Sequence, residues 1–257
     1  GLLDFAIVSD GSFDPITVRT GSDHTTITDL DWQDSLTVDA SEMLDDKTLT
    51  LRGLADVVVN DVQSSIQVVA DDRLDGRLVV NIQREAGAEL VADTVQVWTG
   101  ISDTTDNDLD ERDDVHVHAD LLQSGATLTL TGKADVEVSG VTSSITIDAD
   151  ALDGTDGDAD VLSGTLTIDI VDDAASDTVT VLTGSNDTTI TALDSDDLVL
   201  VDSSEQLDGK RLTLSGAADV TVTEANASIT IDADALLTGT LTITADDTGG
   251  NGDTLTV

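Results

Sequence analysis

Between Asp153 and Asp160 the chain reads D-G-T-D-G-D-A-D, which gathers Asp153, Asp156, Asp158 and Asp160 in one short, glycine-spaced segment. Short carboxylates are good ligands for hard cations, and glycine lets a loop turn tightly enough to aim several at one ion. The segment is therefore a candidate calcium loop. It lacks the closing Glu of an EF-hand and any flanking helical pattern, so a solvated acidic loop is the competing reading. Asp177, Asp187 and Asp253 each stand beside small or turn-forming residues just before a strand-like triplet, and they are further candidate calcium ligands.

A second metal chemistry is conceivable at H-V-H, which puts His116 and His118 on one face of a strand. Aligned copies of the same passage carry Thr37 and Asp39, or Leu200 and Asp202, so the pair, present once, reads as decoration. For catalysis the residues are unpromising. The ten basic residues are scattered, no nucleophile–base–orienter set can be picked out, and no Gly-rich phosphate loop opens a helix. The chain is not expected to be an enzyme.

The formal net charge is −43, from 53 acidic and 10 basic residues. Seven of the acids are Glu, which leaves 46 Asp. Asp belongs to turns and to cation sites, whereas Glu belongs to exposed helix faces. Nucleic acid is excluded as a partner, because phosphate binding needs clustered Lys and Arg. A salt-adapted acidic surface would give a similar balance. Cysteine is absent, which removes disulfides and thiolate chemistry, and no apolar run is long enough to span a membrane.

What positions the Asp residues is a tandem repeat. S-I-T-I-D-A-D-A-L occurs twice, at Ser144–Leu152 and Ser228–Leu236. I-T-V-R-T-G at Ile16, V-Q-V-W-T-G at Val95 and V-T-V-L-T-G at Val179 mark three copies, and a fourth opens with D-T-L-T-V at Asp253–Val257. The organisation is residues 1–14 as the end of a preceding repeat, 15–93 as repeat one, 94–177 as repeat two with an acidic insertion at 153–163, 178–253 as repeat three, and 254–257 as the start of a fourth. The chain reads as a segment of a longer repetitive protein. In this alignment Asp recurs in columns: Asp14, Asp93, Asp177 and Asp253; Asp31, Asp110 and Asp194; Asp34, Asp113 and Asp197; Asp56, Asp135 and Asp219. Each is read first as a turn cap that accepts backbone N–H bonds, and second as part of a carboxylate stack that needs a cation.

Triplets such as V-T-V, T-I-T and L-T-L give the period of two of a β-strand, with aliphatic residues inward and Thr outward. The class is all-β. Two architectures fit: a parallel β-solenoid (β-helix or β-roll) of stacked ~20-residue coils, or a string of immunoglobulin-like β-sandwiches. The solenoid is favoured. Aromatic residues make up only 2% of the chain, too few for a thick sandwich core, and the copies run together without linkers. At about four coils per repeat, three repeats would make a rod of roughly 12 coils and ~60 Å.

T-G-S-N-D-T-T-I-T-A-L-D-S-D-D-L-V-L, G-G-N-G-D-T-L-T-V and D-A-D-A-L-L-T-G-T-L-T-I resemble the RTX-like repeat regions of large bacterial type-I-secreted surface proteins, of the adhesin or S-layer type. The resemblance implies an extracellular, cell-surface location and calcium as the bound ion. G-G-N-G-D-T-L-T-V is one residue short of that family's calcium nonapeptide, and T-G-S-N-D-T-T-I-T keeps a single Gly. The function expected is a structural one: an acidic elongated rod that serves as stalk, filament or surface-layer body and is stabilised by divalent cations. Its partners would be further repeats or copies joined end to end, and cell-surface polysaccharide. The alternative is a carbohydrate-binding or sugar-modifying β-helix module, for which only Trp32 and Trp98 offer stacking faces.

Overall fold

The period-two triplets form short strands separated by corners of Gly, Asp and Ser, and the strands alternate between two sheets. The computed structural model describes residues 2–7, 12–82, 93–109, 113–152, 164–173, 175–225, 227–245 and 256–257, with the backbone alone for 71–73 and 107–109. The first sheet holds β1 (Leu3–Ala6), β3 (Thr25–Leu30), β5 (Lys47–Gly53), β7 (Ile66–Leu74), β9 (Thr94–Trp98) and β11 (Asp114–His118). It continues with β13 (Asp135–Val141), β15 (Leu166–Ile170), β17 (Thr188–Ala192), β19 (Arg211–Gly216) and β21 (Thr230–Leu236). The second sheet holds β2 (Pro15–Arg19), β4 (Ser35–Asp39), β6 (Asp56–Val62), β8 (Leu78–Ile82), β10 (Thr104–Leu109) and β12 (Thr127–Gly132). Its remaining strands are β14 (Thr146–Asp148), β16 (Thr178–Leu182), β18 (Leu198–Asp202), β20 (Asp219–Thr223) and β22 (Leu241–Ile243).

Each strand pairs in parallel with the strand two elements away, so one coil is one strand of each sheet. The molecule is a β-solenoid. Among the described residues each sheet has eleven strands, which at ~4.8 Å apart make a rod about 50 Å long. The immunoglobulin-like alternative is thereby overturned, because a sandwich of that kind is built from antiparallel strands.

Along each strand the inward side chains are buried and stack on identical or similar residues one coil away. Val95, Val115, Val136 and Leu166 form one such column in the first sheet, and Val97, Val117, Val138, Ile168, Ile190 and Leu214 form its neighbour. In the second sheet Leu128, Ile147, Val181, Val201 and Val222 do the same. Among the described residues the buried apolar ones are Val, Leu, Ile and Ala with Met43, and none is aromatic. Burying each Val, Leu or Ile is worth about 1.5–3 kcal/mol before the cost of ordering the chain.

The coil count departs from the expectation of four per repeat. From β2 to β9, and again from β9 to β16, the sequence repeat advances by seven strands, or three and a half coils. Equivalent residues therefore change sheet from copy to copy: Ile16 and Val179 lie in the second sheet, Val95 in the first. Thr256, in the segment that opens the fourth copy, bridges in parallel to Thr230 at the edge of the first sheet, which continues the alternation. Thr178 and Ser144 are hydrogen-bonded neighbours across 34 residues, where Asp14 and Asp34 are neighbours across 20, yet β14 pairs with β16 in unbroken register.

Corners need backbone room. Gly216 ends β19 at φ 111°, and a Cβ there would lie 1.8 Å from the Ala192 carbonyl oxygen, which accepts the N–H of Ala217. Gly209, at φ 81°, faces open space. Gly216→Ala should therefore cost roughly 3 kcal/mol, combining backbone strain with overpacking, and Gly209→Ala about 1 kcal/mol from strain alone. Thermal midpoints of the two variants against wild type would check this; equal losses would mean that the close approach at Gly216 carries no weight.

Candidate functional site

The sheet ladder satisfies backbone N–H groups inside the strands, and the corners leave N–H groups that need other acceptors. The recurrent Asp residues supply them across coils. Asp34, Asp113 and Asp197 accept the N–H of Asp14, Asp93 and Asp177 from the preceding coil, at 3.4, 3.3 and 2.9 Å. Asp56, Asp135 and Asp219 accept the N–H of Arg77, Thr165 and Thr240 from the following coil, at 2.9, 2.6 and 2.7 Å. Asp194 instead closes a local turn by accepting the N–H of Asp196. The side chains of Asp31's column in copy two, at Asp110, lie outside the described residues.

Of the candidate calcium ligands, Asp177 accepts the hydroxyl of Ser144 at 2.7 Å, and that hydroxyl oxygen accepts the N–H of Thr178. Asp93 and Ser65 repeat the arrangement one copy earlier. Asp187 accepts the N–H of Arg211 at 2.8 Å, as Asp103 accepts that of Thr127. Both carboxylates are thus engaged in tying coils together. Asp153, Asp156, Asp158, Asp160 and Asp253 lie outside the described residues. Among the described residues no group of three or more His, Asp or Glu converges as metal ligands would.

Burial and hydrogen bonding push these acids in opposite directions. Asp39 is held below the ordinary carboxylate range by the hydroxyl of Ser41 and by Arg19, which donates to it at 2.9 Å. Burial raises Asp197, and the N–H of Asp177 only partly offsets it.

The H-V-H pair is split between two neighbourhoods on the outer face of the first sheet. His116 places Nδ1 2.9 Å from Glu137 and Nε2 3.3 Å from Asp114. His118 stacks on Trp98 with ring centroids 4.3 Å apart and planes 19° from parallel, and its Nδ1 is 3.2 Å from the Ser139 hydroxyl. Partial burial lowers the pKa of His118. Since Trp98 and His118 stack along the rod, one face of the indole is covered by the imidazole. Trp32 is 67% exposed and lies on a corner of another coil. A corner groove of about 400 Å³ is lined by Asp56, Asp75, Arg77, Asp103 and Gln123, and there Asp56 and Asp103 are already occupied as caps.

Two residues escape sequence reasoning. His24 occupies the column of Asp103 and Asp187 and does their work with a ring nitrogen: Nδ1 accepts the N–H of Thr48 at 3.1 Å. Asp106 occupies the column of Ile27 and Ile190 and points into the core. The aligned copies hold both signals, but a lone acid in a chain with 53 of them does not stand out.

No family model, curated protein or solved structure matches this chain.

The cap at His24 can be tested by exchange with its own column. His24→Asp should keep the thermal midpoint of wild type or exceed it, whereas His24→Ala should lose about 1 kcal/mol, the usual worth of a side-chain cap. If the alanine variant melted with wild type, the inter-coil cap would contribute nothing to stability.

Proposed function

We propose that this chain is a structural segment of an extracellular surface protein, an acidic rod whose coils serve as spacer or filament body. The observation that carries the reading is the use of the recurrent Asp residues: they tie one coil to the next instead of converging on a cleft. A side chain spent on the next coil's backbone is doing structural work, and it is unavailable as a general acid or base without breaking the corner.

The same arrangement leads us to expect a need for cations. A net charge of −43 on a rod about 50 Å long puts acids on adjacent coils closer than the screening length of ~8 Å at physiological salt. Divalent cations collected along the corners, and in the insertion at Asp153–Asp160, would relieve the repulsion. End-to-end contact with further repeats and adhesion to cell-surface polysaccharide belong to the same proposal.

Surface location is tested with an antibody raised against the rod, applied to intact and to lysed cells of the source organism. Intact cells should label; labelling that appears only after lysis would overturn the extracellular reading. The cation is tested separately by thermal melts in millimolar Ca²⁺ and in EDTA at matched ionic strength. A higher midpoint in calcium is expected, since an ion that binds only the folded rod must stabilise it. Equal midpoints that rise only with NaCl would remove divalent ions from the proposal and leave general screening.

A further inference from the structure

Asp106 lies in the middle of an aliphatic column of the second sheet: Val18, Val38, Val59 and Val80 precede it and Leu130 follows. Its relative exposure is 0%, and neither carboxyl oxygen has a hydrogen-bond partner. The flanking strands of its own sheet present Leu78, Val80 and Ile82 from β8 and Leu128 and Leu130 from β12 to the core. In the facing sheet, β9 presents Val95 and Val97, and β11 presents Val115 and Val117. None of these titrates or carries charge. Immediately after Asp106 the pairing of β10 with β12 shifts register, as that of β3 with β5 does after Ile27 at the same place in the repeat.

We propose that Asp106 makes β10 a pH-dependent weak point at the centre of the rod, a core side chain when protonated and a cause of local strand opening when ionised. An unpaired carboxylate cannot be held in a dry aliphatic core, so the ionised form must reach water or lose its proton. The irregular register on the C-terminal side of Asp106 is where the strand can yield. The coils on either side have complete aliphatic columns and would remain folded, so the rod would soften at one place.

Burial alone pushes the Asp106 carboxyl up to about 7. In the unfolded chain an Asp titrates near ~3.9. Between those values the folded state keeps a proton that the unfolded state has lost. The contribution of that proton to stability is full below about pH 4, falls as pH rises, and is gone above about pH 7.

The test compares wild type, Asp106→Asn and Asp106→Ile at constant ionic strength from pH 4.5 to 8.5. The isoleucine restores the residue of Ile27 and Ile190, and the asparagine keeps the shape without the titration. The other acids are common to all three proteins, so only differences between the proteins matter. Relative to either variant, the wild-type unfolding constant should grow by up to about tenfold per pH unit as far as pH 7 and then level off. Protection of the Thr104–Asp106 amides, taken as the intrinsic exchange rate at each pH divided by the observed one, should fall over the same interval in wild type alone, while β5 stays protected. Parallel pH profiles for the three proteins would overturn the proposal. So would a loss of protection shared by every strand, since that would mean global unfolding in place of a local opening.

Discussion

Successive coils must lie ~4.8 Å apart in parallel register, and every other feature of the rod follows from that spacing. At this distance a backbone N–H in one coil reaches a carbonyl in the next, and an inward side chain sits directly on its counterpart. Identical neighbours are the simplest way to fill such a column without voids, which is why Val95, Val115 and Val136 stack as a run. The same spacing brings a short Asp carboxylate at one corner within reach of a backbone N–H at the next. Glu has the same charge on a longer stem and would have to fold back to do so. The preponderance of Asp over Glu is thus a property of corners as much as of solvation.

Seven strands per repeat would be an awkward number if the two sheets differed. With two strands per coil, a repeat of seven returns each residue to the opposite sheet. The arrangement is tolerated because both sheets have the same rise, the same inward–outward alternation and the same aliphatic filling. Val95 can therefore do in the first sheet what Ile16 and Val179 do in the second. One consequence is that a surface feature written once per repeat emerges on alternate sides of the rod. His116 and Leu200 hold the same place in their repeats, yet they face outward from different sheets.

Corners and columns tolerate exceptions of different kinds. At a corner an acceptor of another type can substitute, as His24 does for Asp, because only a lone pair at the right place is needed. Across the insertion at residues 153–163 the pairing of β14 with β16 keeps its register. A column position is less forgiving. Thr104, in the neighbouring column, can turn its hydroxyl to the Ser102 carbonyl 3.5 Å away, but the carboxyl oxygens of Asp106 have no hydrogen-bond partner, and Asp106 is the one polar residue among the described strands of its column.

How much of this was legible in the sequence depends on how far apart the interacting residues lie. The alternation of V-T-V and L-T-L is local, so it determined the strands, their inward faces and the all-β class without reference to the rest of the chain. The recurrence of Asp56, Asp135 and Asp219 marked them as structurally required, and turn capping was the leading reading of them. What they cap was not legible, because Arg77, Thr165 and Thr240 lie 21 to 30 residues further on. The number of strands in a repeat could be counted, but not how many close a coil, since closure depends on the angle taken at each corner. Tertiary structure decided those matters, and with them the exchange of sheets, the covered face of Trp98 and the burial of Asp106. The physical reason is common to all: alternation is a property of one strand, whereas register is a relation between two strands that meet only after the coil between them has closed.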